Sequence, residues 1–105
     1  IVANAEPAGI LLESTLLPDD RFAIAVGIGV NVVAYPDDLP YPATSLAALG
    51  SDADAETLFL ALSDAWTRFE AIWAGGRGLS DIRELWLARA AGLGADVAVN
   101  VNGTV

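Results

Sequence analysis

Apolar and polar positions change their period along the chain, and each change predicts a different element. Residues 8–14, AGILLES, form a short apolar run, and Phe22 to Val33 form a longer one rich in β-branched side chains. Between them TLLPDDR supplies Pro18, Asp19 and Asp20 as turn formers, so the two runs predict an antiparallel hairpin. Tyr35 to Ser45, YPDDLPYPATS, holds three of the five prolines and reads as a surface loop, followed by one helical turn from Ser45 to Leu49 that stops at Gly50. From Asp52 the period becomes helical: Leu58, Leu62, Trp66, Phe69 and Trp73 recur at three and four residues, Asp52 or Asp54 suits the first turn, and Gly75-Gly76 ends the helix. A second helix is expected from Ser80 as N-cap, with Ile82, Leu85, Trp86 and Arg89 on one side and Gly92 and Gly94 as its stop. The tail, DVAVNVNGTV, alternates Val97, Val99 and Val101 and ends in an Asn-Gly turn signal, which predicts a strand opening a further hairpin. The order ββ-loop-αα-β implies an α+β fold, a mixed and largely antiparallel sheet with helices packed on one side.

Side chains on a strand alternate between faces. Over the second run, Phe22, Ile24, Val26, Ile28, Val30 and Val32 share one face, which should be buried, while Ala23, Ala25, Gly27, Gly29 and Asn31 share the other. The second face empties progressively and ends in an amide. In the first run Gly9 and Leu11 lie opposite Ile10 and Leu12, so another bare position can sit beside Gly27 and Gly29. Each strand glycine costs about 0.5–1 kcal/mol. A flat ligand against the backbone, a closely packed helix or a β-bulge would each account for it. Gly27-x-Gly29 is no dinucleotide fingerprint, because a third glycine is missing and a proline loop follows.

At 105 residues the chain can build one core at most. It begins at Ile1 rather than methionine and is expected to be part of a longer protein. Although 54% of it is hydrophobic, its longest apolar run, Phe22 to Tyr35, is broken by glycines and Asn31. A spanning helix needs about 20 apolar residues, so neither a transmembrane segment nor a signal peptide is expected. Without cysteine or histidine these residues hold no disulfide, thiol nucleophile, Cys/His zinc site or Ser-His triad. Asp19-Asp20 and Asp37-Asp38 stand beside prolines and suit solvated turns better than a metal site. Fourteen acids against five arginines give a net charge of −9, which argues against nucleic acid and anionic membranes as partners. Trp66, Trp73 and Trp86 fall on apolar stripes and are expected to pack in a core; Arg68, Arg83 and Arg89 suit the surface, Glu13 a solvated strand end, and Thr44 or Ser45 a helix cap.

AGILLES, AVGIGVNV, LPYPATSL, a helix with tryptophan and IRELWLARAAGLGADVAV together resemble, in order and spacing, the later part of the catalytic domain of biotin–protein ligases. The resemblance covers nearly the whole chain. It implies a fold of a mixed sheet backed by helices, residues 1–95 belonging to the catalytic domain and 96–105 opening a small SH3-like domain. It implies a cytoplasmic enzyme that joins biotin to ATP as biotinoyl-adenylate and passes the biotinoyl group to a lysine of a biotin carboxyl-carrier domain. Mg2+ would accompany ATP without being held by the residues identified here, and a homodimer is possible in the family. Carried over by position, the resemblance sets Gly9, Ile10 and Leu11 against biotin, Gly27, Ile28 and Gly29 along biotin and the acyl-adenylate linkage, and Asn31 near the adenylate; Thr44 and Ser45 would lie in a loop near the adenine.

Two departures stand out. The family's glycine-rich phosphate loop and Trp-Pro-Asn segment would precede Ile1, so these residues alone are not expected to catalyse adenylation. Where the resemblance implies a lysine, three residues before the glycine of GIL, the chain has Glu6, and a carboxylate there would repel anions. Either the lysine is replaced, or one lysine between Glu6 and Pro7 would restore the pattern, which the absence of any lysine or methionine favours. A non-catalytic biotin-binding module is the alternative of a different class, and a lipoate ligase the rival within the enzymes.

Overall fold

The computed structural model describes residues 5–99, 101 and 102, in two compact units, Ile1–Ala61 and Leu62–Val105. In the first unit the hairpin forms as expected. Strand β1 (Ala8–Leu16) pairs antiparallel with β2 (Phe22–Val30), from Ala8 opposite Val30 to Leu16 opposite Phe22 without a break. Pro18 presets the first corner of the connection, the Asp20 N–H donates to the Leu17 carbonyl at 3.0 Å, and Asp20 adopts a left-handed φ of 64°. The Leu17 N–H then closes the loop on the Arg21 carbonyl at 2.7 Å.

A parallel bridge joins Glu6 to Ala43, so the backbone before β1 meets the loop that follows β2. The Glu6 N–H donates to the Pro42 carbonyl and the Thr44 N–H to the Glu6 carbonyl, both at 3.0 Å. One helical turn follows, capped by Ser45, whose Oγ accepts the Ala48 N–H at 3.1 Å, and ended by Gly50 at φ 92°. Thr44 and Ser45 are 8% and 1% exposed, so this corner is the most enclosed polar spot of the described residues.

Helix α1 (Ala55–Trp73) starts on Asp54, whose carboxylate accepts the Thr57 N–H at 2.8 Å. In the second unit α1 gives way to a short 3-10 turn, Ala74–Gly76, with Gly75 and Gly76 at φ 67° and 101°, the stop their sequence predicts. Gly78 then donates to the Trp73 carbonyl at 2.9 Å and caps α2 (Leu79–Leu87). The expected cap, Ser80, lies inside that helix instead. The reason is steric: a Cβ at Gly78 would stand 1.8 Å from the Ile72 carbonyl oxygen, so the turn closes on glycine and the helix begins early. α2 also stops before Gly92 and Gly94, tapering through tight bonds from Arg89 to Trp86 and Ala90 to Leu87. The two glycines, each at φ 75°, shape the chain beyond it.

The α+β class holds, with an antiparallel two-stranded sheet and two helices. Three expectations do not. Residues 96–99 carry no strand, and Val101 makes only a bridge before the turn at Asn102; alternation supplies a pattern but no hydrogen-bonding partner. Asn100 and 103–105, also in that expected strand, lie outside the described residues. The apolar face of β2 is not buried: Phe22 is 70% exposed, Ile24 is open, and only Ile28 and Val30 are half-buried. Trp66, Trp73 and Trp86 are likewise exposed, Trp86 at 64%, rather than packed in a core. A two-stranded ribbon has no layer of its own to cover either face, and no apolar side chain among the described residues is buried.

Candidate functional site

The register of the hairpin decides which candidate residues meet. Gly9 stands opposite Gly29 and Leu11 opposite Gly27, with Glu13 opposite Ala25 on the same side. Ile10 pairs with Ile28 on the other side, so these two can reach a ligand on the glycine face only through their backbone. Gly9, Leu11, Gly27 and Gly29 thus form one shallow bare patch, bounded at one end by the side chain of Leu11.

Neither conformation nor packing inside the hairpin demands these glycines. None of the three has a left-handed backbone, and the unbroken ladder contains no bulge. A Cβ built at Gly9 or Gly29 meets no atom within 4 Å, and one at Gly27 makes only ordinary contact with Leu11, at 3.6 Å and 3.9 Å. Of the three accounts open to the sequence, a bulge is removed, and a closely packed helix finds no atom at Gly9 or Gly29 to support it. The contrast with Gly78, where any side chain collides with backbone, is direct.

Asn31 follows β2 at the end of this patch and is tied on three sides. Its N–H donates to the Pro7 carbonyl at 2.8 Å, its carbonyl accepts the Leu46 N–H at 2.9 Å, and its Nδ2 donates to the Thr44 carbonyl at 3.0 Å. Beside it the Val32 carbonyl accepts the Ala47 N–H at 2.9 Å. The Thr44 partner has no signature in the sequence, being thirteen residues away across a proline-rich loop.

Glu6 and Pro7 lead into β1 next to this junction. Ala43, the bridge partner of Glu6, lines an open hollow of about 430 Å³ together with Tyr35, Asp37, Leu39, Tyr41 and the neighbouring prolines. The charge nearby is acidic. Arg21, the sole basic residue before Arg68, is committed at the far tip of the hairpin, where its Nε lies 2.6 Å from Asp19 Oδ2. Such a site can shape and hydrogen-bond a ligand by its backbone, but a polyphosphate would need cations from elsewhere. Among the described residues no three potential metal ligands gather, and no helix is long and apolar enough to cross a membrane.

No protein-family model matches the chain, and no solved structure matches it. It is similar to a biotin–[acetyl-CoA-carboxylase] ligase of Paracoccus denitrificans, with 38% identity over an alignment of 103 residues covering 92% of this chain. The chain spans 42% of the length of that relative.

Proposed function

We propose, from the premise that the chain is a fragment of the biotin–protein ligase family, that its glycine face seats biotin and the acyl-adenylate made from biotin and ATP. In this reading the parent protein, acting in the cytoplasm, transfers the biotinoyl group to a lysine of a biotin carboxyl-carrier domain. The observation that carries the reading is Gly9 opposite Gly29, a doubly bare position that neither backbone conformation nor internal packing explains. A fused ring system can lie flat on such a surface and be held by main-chain groups. Gly27 extends the patch, and Asn31 stands at its polar end for the adenylate. Residues 1–95 would contribute to the catalytic domain and 96–105 would begin the SH3-like domain. The phosphate-neutralising groups, and any Mg2+ accompanying ATP, would be held by other parts of the protein, and a homodimer fits the same reading.

Glu6 favours one second reading, a module that binds biotin without activating it, because a carboxylate beside the site opposes the charge that develops in acyl transfer. Biotin-dependent ATP–pyrophosphate exchange on the full-length protein separates the two. Exchange supports the ligase; calorimetric binding of biotin without exchange supports the module; neither one would remove both. Exchange driven by lipoate instead would move the protein to the lipoate ligases.

A further inference from the structure

We infer that Asn31 is a positioning residue, a latch that sets the Thr44–Leu46 segment and the Pro7 approach to β1 at fixed distances from the end of the glycine face. The inference rests on the ligand site proposed above and adds to it what holds one end of that site in shape. Three observations support it. The bond from Asn31 Nδ2 to the Thr44 carbonyl is a partly buried side-chain contact joining segments thirteen residues apart, whereas the other side-chain hydrogen bonds among the described residues join positions within four of one another. Its target is one of the two enclosed polar residues of that corner. The main chain of the same residue ties Pro7 on one side and Leu46 on the other.

The chemistry of the amide divides its work. One Nδ2 hydrogen is occupied by Thr44, which leaves the acceptor Oδ1 and the second Nδ2 hydrogen to face a ligand. Aspartate keeps an oxygen at that place and the side-chain shape but replaces the donor with a second acceptor, which would confront the Thr44 carbonyl. Asn31→Asp therefore separates a latch from a simple ligand contact, because a role played only through Oδ1 survives it.

The test uses the full-length protein. Hydrogen exchange is followed at the Leu46 and Ala47 amides, which are bonded to Asn31 and Val32, alongside pyrophosphate exchange resolved into kcat and KM for biotin. Asn31→Asp and Asn31→Ala should both speed amide exchange at these two positions and lower kcat roughly tenfold, the scale of leaving one partly buried carbonyl unsatisfied. KM for biotin should stay within about twofold of wild type, because Gly9, Gly27 and Gly29 are untouched. Asp54→Ala, which removes the cap on Thr57 at the start of α1, serves as the structural comparator: it should lower thermal stability without moving the ratio of kcat to KM. Unchanged amide exchange in Asn31→Asp, or kcat and KM shifting together as in Asp54→Ala, would overturn the latch. A wild type without any biotin-dependent exchange or biotin binding would overturn the proposed function instead, and the amide-exchange arm would still decide the latch.

Discussion

Gly9 and Gly29 face each other across the hairpin with open space above both. A side chain added at either would cost the hairpin little and would occupy the patch where a ligand is proposed to lie. In the full-length protein Gly29→Val should leave stability within about 1 kcal/mol of wild type, or raise it, since valine suits a strand better than glycine. Biotin affinity by calorimetry should fall by at least about tenfold. A large loss of stability with binding intact would assign the bare face to packing.

Under the proposed function Glu6 stands where the family resemblance implies a lysine, and a cation there would help an anionic acyl-transfer centre. Glu6→Lys is expected to raise pyrophosphate exchange or biotinoyl transfer by about tenfold or more, within the range that single electrostatic groups contribute in active sites. A lowered rate would mean that the carboxylate itself serves the site.

Gly78 answers to sterics alone. With the Ile72 carbonyl oxygen 1.8 Å from the place of a Cβ, Gly78→Ala must push α1 and α2 apart at their junction. A loss of about 1–3 kcal/mol in denaturant unfolding is expected, typical of overpacking. Gly9→Ala, with nothing in reach, should lose far less.

Asp54 caps α1, and the Thr57 N–H holds its carboxyl below the usual carboxylate range. A pKa lowered in the folded state stabilises above the ordinary aspartate value of about 4. That contribution disappears as pH falls through the lowered value. Asp54→Asn should keep the helical circular dichroism signal at neutral pH and lose part of its decline in acid. Asp54→Ala should lower the signal already at neutral pH.

Asp20 holds a left-handed backbone, φ 64°, at the tip of the hairpin. Asp20→Gly should relieve that conformation and stabilise the protein by up to about 1 kcal/mol, measured as a higher melting temperature.

How much of this was legible in the sequence depends on whether local chemistry decides the outcome. The hairpin, its proline–aspartate turn, an acidic start to α1 at Asp52 or Asp54, the Ser45 turn and the stop at Gly75-Gly76 all follow from residues next to one another, and so does the sorting of Gly9, Leu11, Gly27 and Gly29 onto one face; that Asp54 is the cap comes from the fold. Ser80 misled because the start of α2 is set by a close approach of Gly78 to a carbonyl six residues back, which only glycine permits and no propensity records. The valines of the tail alternate like a strand, yet strand formation needs a partner that alternation does not name. Burial of Phe22, Ile24 and the three tryptophans was expected from apolarity, but apolarity only states what would gain from a cover. The Asn31–Thr44 bond joins two residue types that pair in innumerable ways, so only the folded loop reveals it.

The three-residue tip from Pro18 to Asp20 also has a reach beyond its own geometry. Because side chains on a strand alternate, the length of that tip fixes which residues of β1 and β2 stand across from each other nine positions away. One residue more or fewer would set Gly9 beside Ile28 or Val30 and Ile10 beside Gly27 or Gly29, splitting the bare patch between the two faces. The address of the proposed binding surface is thus written in a solvent-exposed loop nine positions away from it, and substitutions there are tolerable where insertions and deletions are not.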